Sequence, residues 1–202
     1  MPELKSVSVS PGNTKMGAIP SVSLPPVLTC LENVPCAHDC YAVRFCRLRP
    51  SVRAAYESNL EIYKENPERF WSEVERAAKM HRFFRFHVAG DIPDRAYYRG
   101  MKSVCERCPK TEFLCFTKRH ALVTDETDLH GLPPENLHLI FSDWKGMHME
   151  NPYRFPTCEV LEKNETPQPG WVLCGGNCTE CALTDGGCWS LGFGDTICIP
   201  KH

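Results

Sequence analysis

The stretch Phe83-Phe84-Arg85-Phe86-His87-Val88-Ala89-Gly90-Asp91 decides the predicted fold. Aromatic residues alternate through it and it ends at Gly90-Asp91, which is typical of a strand that leads into a turn. Two later stretches, 113–117 (Phe-Leu-Cys-Phe-Thr) and 137–142 (Leu-His-Leu-Ile-Phe-Ser), contain few polar residues. Strands of that kind are buried on both faces, as in a parallel sheet. The sequence therefore predicts three strands of one parallel sheet.

Helical patterns separate these strands. Pro50-Ser51 opens a predicted helix that Asn66-Pro67 ends, a second helix starts at Pro67, and residues 93–105 are also helical. Alternating strands and helices imply right-handed crossovers. The 202 residues fall short of the ~250 that a complete eight-unit barrel needs. We predict an α/β fold, either an incomplete, open barrel or a small parallel sheet with helices.

The predicted organisation is a single domain that spans residues 1–202. Its parts share one core and differ in composition, from a Pro- and Ser-rich start to a Cys- and Gly-rich end. They are an extended arm (1–29), a Cys-rich loop (30–49), an α/β core (50–162) and a Cys-rich C-terminal segment (163–202).

The composition is that of an ordinary globular protein, with 42% hydrophobic and 24% charged residues. The net charge of −2 and the lack of a basic stripe argue against nucleic-acid binding. No apolar run is long enough to span a bilayer, and the first residues lack the apolar segment of a signal peptide. We therefore expect a cytoplasmic protein that does not bind membranes. Disulfides are rare in a reducing cytosol, so the 13 cysteines favour inorganic ligation.

The first cysteine group is Cys30, Cys36 and Cys40, spaced C-x5-C-x3-C. A loop of this length can direct three sulfurs toward one point. Thiolates are soft ligands, which iron–sulfur clusters and zinc both prefer. The alternative is three buried or disulfide-forming cysteines, but dense cysteines in such a chain more often bind metal.

The second group is Cys174, Cys178, Cys181 and Cys188, interleaved with glycines that allow sharp turns between ligands. We predict a [4Fe-4S] cofactor, as one or two clusters, with zinc as the alternative metal. A cysteine of this group is expected to complete the four-thiolate shell of the first group. The remaining cysteines are not predicted ligands, although Cys46 lies close enough to be a reserve.

Candidate catalytic residues stand at predicted strand ends, where α/β sheets place their chemistry. His87 and Asp91 are candidate acid–base partners, and Lys118 is a candidate for holding a carboxylate or an oxyanion. A histidine packed beside Phe84 and Phe86 is the equally weighted alternative for His87. No G-x-S-x-G elbow and no P-loop is present in the sequence, which argues against a standard serine hydrolase or an NTPase.

Several short motifs together resemble the bacteriophage gene-product-88 family, whose members are regarded as iron–sulfur proteins. The resemblance covers nearly the whole chain. It implies a cluster held by the N-terminal triad and by C-terminal cysteines, and a host-cytoplasmic location. We place Asn13, Lys15 and Tyr41, which stand in these motifs, near the cofactor. The motifs are Asn13-x-Lys15-x-Gly17, Pro20-Ser21-x-Ser23-Leu24-Pro25, Cys30-x5-Cys36-x3-Cys40-Tyr41-Ala42, Pro50-Ser51-Val52-Arg53, Arg85-x-His87-Val88-x-Gly90-Asp91, Phe116-Thr117-Lys118 and a final Cys-x2-Cys…Cys188-Trp189.

A more distant likeness is to radical S-adenosylmethionine enzymes, which also place three cysteines after an early strand of a partial barrel. This likeness adds S-adenosylmethionine as a candidate cofactor. Cys36 and Cys40 match the start of that family's motif, but Val43 stands where its third cysteine belongs. The spacing therefore argues against S-adenosylmethionine.

The sequence leads to three functional hypotheses. The first is an iron–sulfur enzyme of the redox or radical type that acts on a small molecule. The second is an esterase-like hydrolase with a structural or Lewis-acid cluster. The third is a zinc-stabilised binding module without catalysis. Polar residues at the ends of parallel strands favour an enzyme.

We predict that Cys30→Ala, Cys36→Ala and Cys40→Ala each release bound metal, whereas Cys105→Ala and Cys108→Ala retain it. The ligand variants should also give less soluble protein, because the energy of metal binding is part of the folding energy. Elemental analysis of each purified variant is the measurement. Equal metal retention in all of them would show that the ligands are misassigned.

Overall fold

The computed structural model describes residues 5–201. Within them the chain forms eight strands and six α-helices. The strands are β1 (Val9–Ser10), β2 (Ser21–Val22), β3 (Phe83–Phe86), β4 (Glu112–Thr117), β5 (Leu137–Asp143), β6 (Thr157–Leu161), β7 (Val172–Leu173) and β8 (Thr196–Pro200). The helices are α1 (Tyr41–Leu48), α2 (Pro50–Glu65), α3 (Pro67–Ala78), α4 (Arg95–Arg107), α5 (His120–His130) and α6 (Cys178–Leu183).

The strands form one open sheet in the order β1-β2-β3-β4-β5-β6-β8-β7. Strands β1 and β2 pair antiparallel, and every other neighbouring pair is parallel. Parallel neighbours need a crossover, and helices supply it between β2, β3, β4 and β5. The predicted α/β class with an open, mostly parallel sheet is confirmed.

The helices begin where the sequence provides a start signal. Helices α2 and α3 each begin at a proline, whose missing N–H removes a donor that a first turn leaves unpaired. The side chain of Asn66 caps α3 by accepting a hydrogen bond from the Arg69 amide. Helix α4 begins at Arg95 and not at the predicted position 93, because the Asp94 carboxylate caps it from outside. Within residues 5–201, no helix has both the length and the apolar character of a membrane span.

Strand β3 is shorter than predicted. It ends at Phe86, and the expected continuation to Gly90 is wrong because His87 has a left-handed backbone with φ of 61°. The His87 amide still donates to the Val22 carbonyl at 2.9 Å, so the chain turns while it remains tied to β2. The turn redirects residues 88–91 toward the start of the Cys-rich loop.

The two faces of the sheet have different coverings. Helices α2 to α5 pack on one face, here called the outer face, over a large apolar core. The other face, here called the inner face, is covered by the N-terminal arm and the C-terminal segment. Strand residues on the outer face are Phe84, Phe86, Phe113, Cys115, Leu137, Leu139 and Phe141. Those on the inner face include Leu114, Phe116, Ile140, Cys158, Ile197 and Ile199.

Several elements are additions to the predicted architecture. The predicted Cys-rich loop (30–49) contains helix α1, and the predicted C-terminal segment supplies β7, α6 and β8. Strand β6 extends the sheet at the end of the predicted core. Residues 162–170 lie between β6 and β7 without a helix or strand. The sheet is therefore built from nearly the whole described chain.

We predict that Gly90→Ala destabilises the protein more than Gly131→Ala. Both glycines have nearly the same positive φ, 79° and 78°, so alanine at either position carries a backbone strain of about 1–3 kcal/mol. At Gly90 a Cβ would also lie 2.7 Å from the Leu24 carbonyl oxygen and 2.6 Å from Thr29 Oγ1, whereas at Gly131 nothing lies within 4 Å. Urea unfolding of both variants is the measurement, and equal losses would contradict the crowding at Gly90.

Candidate metal centre

A cavity of about 910 Å³ lies against the inner face of the sheet. Side chains on one strand alternate between faces, so Leu114, Phe116 and Lys118 line it together. The N-terminal arm, the Cys-rich loop with α1, and the C-terminal segment supply the walls. The strand residues that form its floor are Arg85, Leu114, Phe116, Ser142, Cys158, Val160, Ile197 and Ile199.

Eight of the 13 cysteines line this cavity. All seven predicted metal ligands are among them, although they come from opposite ends of the chain. The eight are Cys30, Cys36, Cys40, Cys158, Cys174, Cys178, Cys181 and Cys188. The other five are Cys46, Cys105, Cys108, Cys115 and Cys198, and all 13 are free thiols. The fold thus gathers the two cysteine groups of the sequence around one space.

The cavity thiols form two groups, and within each group the thiols affect one another's pKa. In the first, called the N-terminal thiols, burial raises the pKa of Cys30 to about 11, and the neighbouring Cys40 raises it further. Cys40 also raises the pKa of Cys36, after the larger effect of burial. Within residues 5–201, no cysteine of the C-terminal segment is a main cause of the raised pKa of Cys30 or Cys36. The N-terminal thiols, Cys30, Cys36 and Cys40, are therefore neighbours of one another.

The second group, called the C-terminal thiols, surrounds Cys174. Burial is the largest cause of a raised pKa at each of its other members, and Cys174 adds to the shift at every one. The pKa of Cys158 reaches about 12. The members are Cys158, Cys174, Cys178, Cys181 and Cys188. Five thiols thus lie at this part of the cavity.

The thiols of each group share a wall of the cavity without converging on a point. In the part of the chain that the structure describes, no three Cys, His, Asp or Glu side chains stand close enough together to hold a single metal ion. Tetrahedral zinc needs four donors about 2.0–2.3 Å from one centre.

Cys158 is the cavity cysteine that sequence reasoning missed. It lies in β6 between Ser142 of β5 and Ile197 of β8, and it is 3% exposed. No other cysteine lies close to Cys158 in the sequence, so the sequence alone favours an isolated cysteine. The alternation of Cys158 and Val160 on the inner face was the available signal, but it requires β6 to be recognised as a strand.

The start of the Cys-rich loop is fastened to the ends of β3 and β4. The Thr29 hydroxyl donates to the Pro25 carbonyl at 2.9 Å and accepts from the Asp91 amide at 3.1 Å. One guanidinium nitrogen of Arg119 donates to the carbonyls of Thr29 and Cys30 at 3.3 and 3.4 Å. These contacts fix the position of the first cysteine.

Asp91 is buried and its carboxylate is fully engaged. One oxygen accepts from Thr117 Oγ1 at 2.6 Å and from the Ile92 amide at 2.7 Å, and the other accepts from the Lys118 amide at 2.8 Å. The structure therefore brings Asp91 and Lys118 together through the backbone. Asp91 positions the end of β4 and, through it, Lys118.

Lys118 faces the N-terminal thiols. Burial raises the pKa of Cys36, and the Lys118 ammonium opposes that rise through its charge and a hydrogen bond. The Lys118 Nζ also lies 5.7 Å from the centre of the Trp144 ring, in a cation–π arrangement. A cation beside a thiol favours the thiolate, the form that binds metal.

His87 borders the cavity, but its ring nitrogens face residues of the outer-face core. Its Nε2 lies 3.0 Å from the Tyr97 hydroxyl and its Nδ1 lies 3.8 Å from Cys115 Sγ, both on the outer-face side. Burial lowers the pKa of His87 to about 4. The structure does not bring the His87 ring together with the Asp91 carboxylate by a hydrogen bond within the described residues. Its surroundings are those of the packed histidine that the sequence left open.

The predicted cofactor-binding residues also border the cavity. The Asn13 side chain accepts from the amides of Lys15 and Met16, which shapes the turn in the arm. The Lys15 carbonyl accepts from the Cys178 amide at 3.0 Å, so the arm touches the C-terminal segment. The Tyr41 hydroxyl donates to the Val88 carbonyl. These residues close the cavity at several points.

The contact between the two chain ends requires Gly17. A Cβ at this position would lie 2.1 Å from Thr179 Oγ1, and Gly17 has a left-handed φ of 61°. The Thr179 hydroxyl donates to the Met16 carbonyl at 2.7 Å. The arm therefore lies directly against α6, which carries Cys178 and Cys181.

The donor set fits a thiolate-bound cluster. Eight soft sulfur donors line the cavity, and cations lie beside both groups. Arg85 and Lys15 oppose the burial-induced rise in the pKa of Cys178, as Lys118 does at Cys36. Positive charge near such a cluster offsets the negative charge of its thiolates. Cysteine sulfurs are the ligands that iron–sulfur clusters use, so the residues present fit such a group.

Fold and cavity together define an α/β protein with an open parallel sheet and a cysteine-lined chamber on its inner face. A family model described as Gene product 88 matches residues 4–188, and the chain belongs to this family. The matched region includes all eight cavity cysteines. No curated protein matches the chain, and no solved structure matches it.

We predict that the protein loses stability between about pH 6.5 and pH 4 through His87. The pKa of His87 is about 4 in the folded state and 6.5 in an ordinary setting, so the unfolded chain takes up the proton first. The contribution is complete above pH 6.5, falls as the pH drops toward 4, and amounts to about 3 kcal/mol. Urea unfolding of wild type and His87→Asn at several pH values is the measurement.

Asparagine is the chosen replacement because it tolerates the left-handed backbone of His87. The difference between the two proteins isolates the histidine from other titrating groups. Parallel pH profiles for wild type and variant would contradict a buried, neutral His87.

Proposed function

We propose that this protein is an iron–sulfur enzyme with two [4Fe-4S] sites, one at each group of cavity thiols. The observation that carries the proposal is the gathering of eight cysteines, from both ends of the chain, on one cavity. Random placement of buried cysteines does not lead to such a concentration, and the remaining five lie in the packing elsewhere.

The number of thiols supports clusters over a single zinc ion. A zinc ion binds four ligands around one point, and no such group stands within residues 5–201. In a cluster of several irons, each cysteine binds a different iron. Eight cysteines line the cavity, which matches the demand of clusters better than that of one zinc ion.

The C-terminal thiols have enough sulfur for a complete shell. Cys174, Cys178, Cys181 and Cys188 supply the four thiolates usual for such a cluster, and Cys158 stands on the strand beneath them as a fifth. A closed shell of this type suits electron transfer or a structural role. Arg85 and Lys15 lie close enough to influence these thiols.

The N-terminal thiols supply three ligands. The sequence predicts a C-terminal cysteine as the fourth ligand. The thiols of each group affect the pKa of thiols in their own group, although the Lys118 ammonium opposes the burial-induced rise at both Cys36 and Cys158. We propose two separate sites, of which the N-terminal site would have three cysteine ligands and one position left for a bound small molecule. A cluster held in this way would supply Lewis acidity or electrons to that molecule.

The residues around that position have two roles: one supplies a proton and a positive charge, and the other holds it in place. Lys118, beside Cys36, holds a proton and a positive charge at the edge of the N-terminal site. Asp91 holds Lys118 in place, because its oxygens are used by the Thr117 hydroxyl and the amides that follow each strand. We therefore assign proton donation in the cavity to Lys118. His87 stabilises the fold through its contact with the Tyr97 hydroxyl.

We predict that protein purified without oxygen is brown and contains about eight irons and eight sulfides per chain, as two such clusters require. Cys36→Ala and Cys178→Ala should each remove about half of the iron, because each disrupts one site. Iron, acid-labile sulfide and zinc assays are the measurement.

Cys115→Ala is the matched control, since this cysteine lies on the outer face and should leave the metal content unchanged. Loss of all iron in both cavity variants would favour one shared site. A colourless protein with stoichiometric zinc and no sulfide would refute the iron–sulfur proposal.

A further inference from the structure

We propose that Arg85 and Lys118 form a binding site for the carboxylate of an organic acid, whose apolar part rests on the inner face of the sheet. This inference rests on the proposed function in that it names the substrate class of the same cavity. It is carried by two cations without a carboxylate partner and by an apolar floor.

Arg85 is a cation in the cavity with an unused donor. It lies in β3 on the inner face, with its guanidinium carbon 5.0 Å from the centre of the Phe116 ring. Its Nε is buried and has no hydrogen-bond partner among residues 5–201. Leaving a buried donor unsatisfied is costly, and more so on a charged group. This enclosed atom is out of reach of a ligand, but an anion in the cavity would pair with the positive charge of the guanidinium, which borders the cavity.

Lys118 approaches the same space from the next strand. It follows Phe116 by two residues, so the two side chains share the inner face. Phe116 therefore stands between the two cations, stacked under Arg85. Neither Arg85 nor Lys118 forms an ion pair with a carboxylate within the described part of the chain.

The carboxylates on the cavity wall are already committed. Only Asp39 and Asp91 line it among the described residues. Asp39 pairs with Lys201 at 3.6 Å, and Asp91 accepts its three hydrogen bonds from Thr117 and two amides. The cavity thus has net positive charge apart from its thiols. An arginine with a planar fork is suited to binding a carboxylate.

The floor of the cavity favours an organic anion over an inorganic one. Apolar side chains from β4, β6 and β8 surround the two cations, and the volume of about 910 Å³ exceeds what a small ion needs. Pockets of roughly 300–1,000 Å³ hold small organic ligands. The floor residues are Leu114, Phe116, Val160, Ile197 and Ile199.

The test is calorimetric titration of anaerobically purified protein with benzoate, benzamide and inorganic phosphate, with the iron content measured in each sample. Benzoate should bind with a dissociation constant below about 10 mM and benzamide should not, because only benzoate carries the charge. Phosphate distinguishes an organic-acid site from a general anion site. Binding of phosphate as tight as that of benzoate, or no saturable benzoate binding, would overturn the proposal.

Arg85→Gln and Lys118→Met should each weaken benzoate binding about tenfold or more in samples matched for iron content. Arg82→Gln is the matched control: its guanidinium also lies 5.0 Å from a ring centre, that of Phe83, but it does not line this cavity. Unchanged benzoate affinity in both cavity variants would overturn the proposal.

The metal assays separate this inference from the proposed function. Loss of iron together with benzoate binding in the Arg85 and Lys118 variants would assign both cations to the metal sites and overturn the anion site. Charge-dependent benzoate binding by wild-type protein that contains no iron would uphold the anion site and refute the iron–sulfur function.

Discussion

The buried carboxylate of Asp91 is the interaction on which the site depends. It accepts hydrogen bonds from Thr117 and from the amide of Lys118, and its own amide is bound to Thr29. One residue therefore joins the ends of β3 and β4 to the start of the Cys-rich loop. Charged hydrogen bonds of this kind are strong when they are buried and fully satisfied. Without them, the N-terminal thiols and Lys118 would no longer be held in fixed positions relative to each other.

The two faces of the sheet have different roles: the outer face packs against the helices and stabilises the fold, and the inner face lines the cavity. Aromatic side chains such as Phe86 and Phe113, whose rings stack 5.3 Å apart, consolidate the outer face under the helices. The inner face combines apolar side chains such as Leu114 and Phe116 with Arg85 and the cavity cysteines. Even His87, at a strand end where catalysis was expected, turns toward the outer core. The alternation of side chains along each strand makes this separation possible.

Local patterns predicted the fold better than the site. The helix Pro50–Glu65 and the strand Glu112–Thr117 follow from periodicity and proline placement, which act within a few residues. The end of β3 did not, because the left-handed backbone of His87 depends on its contact with β2. Cys158 joins the thiols only through strand pairing. The saturation of Asp91 likewise arises from partners 26 and 27 residues away.

The closure of the cavity by both chain ends has a consequence for biosynthesis. The Thr179 hydroxyl and the Met16 carbonyl meet across 163 residues, and Cys178 bonds to the arm beside them. At about 5–20 residues per second on the ribosome, the arm waits on the order of ten seconds for this partner. The chamber is therefore completed only after nearly the whole chain has been translated. Any cofactor held by the C-terminal thiols would therefore be loaded only after residue 188 has been translated.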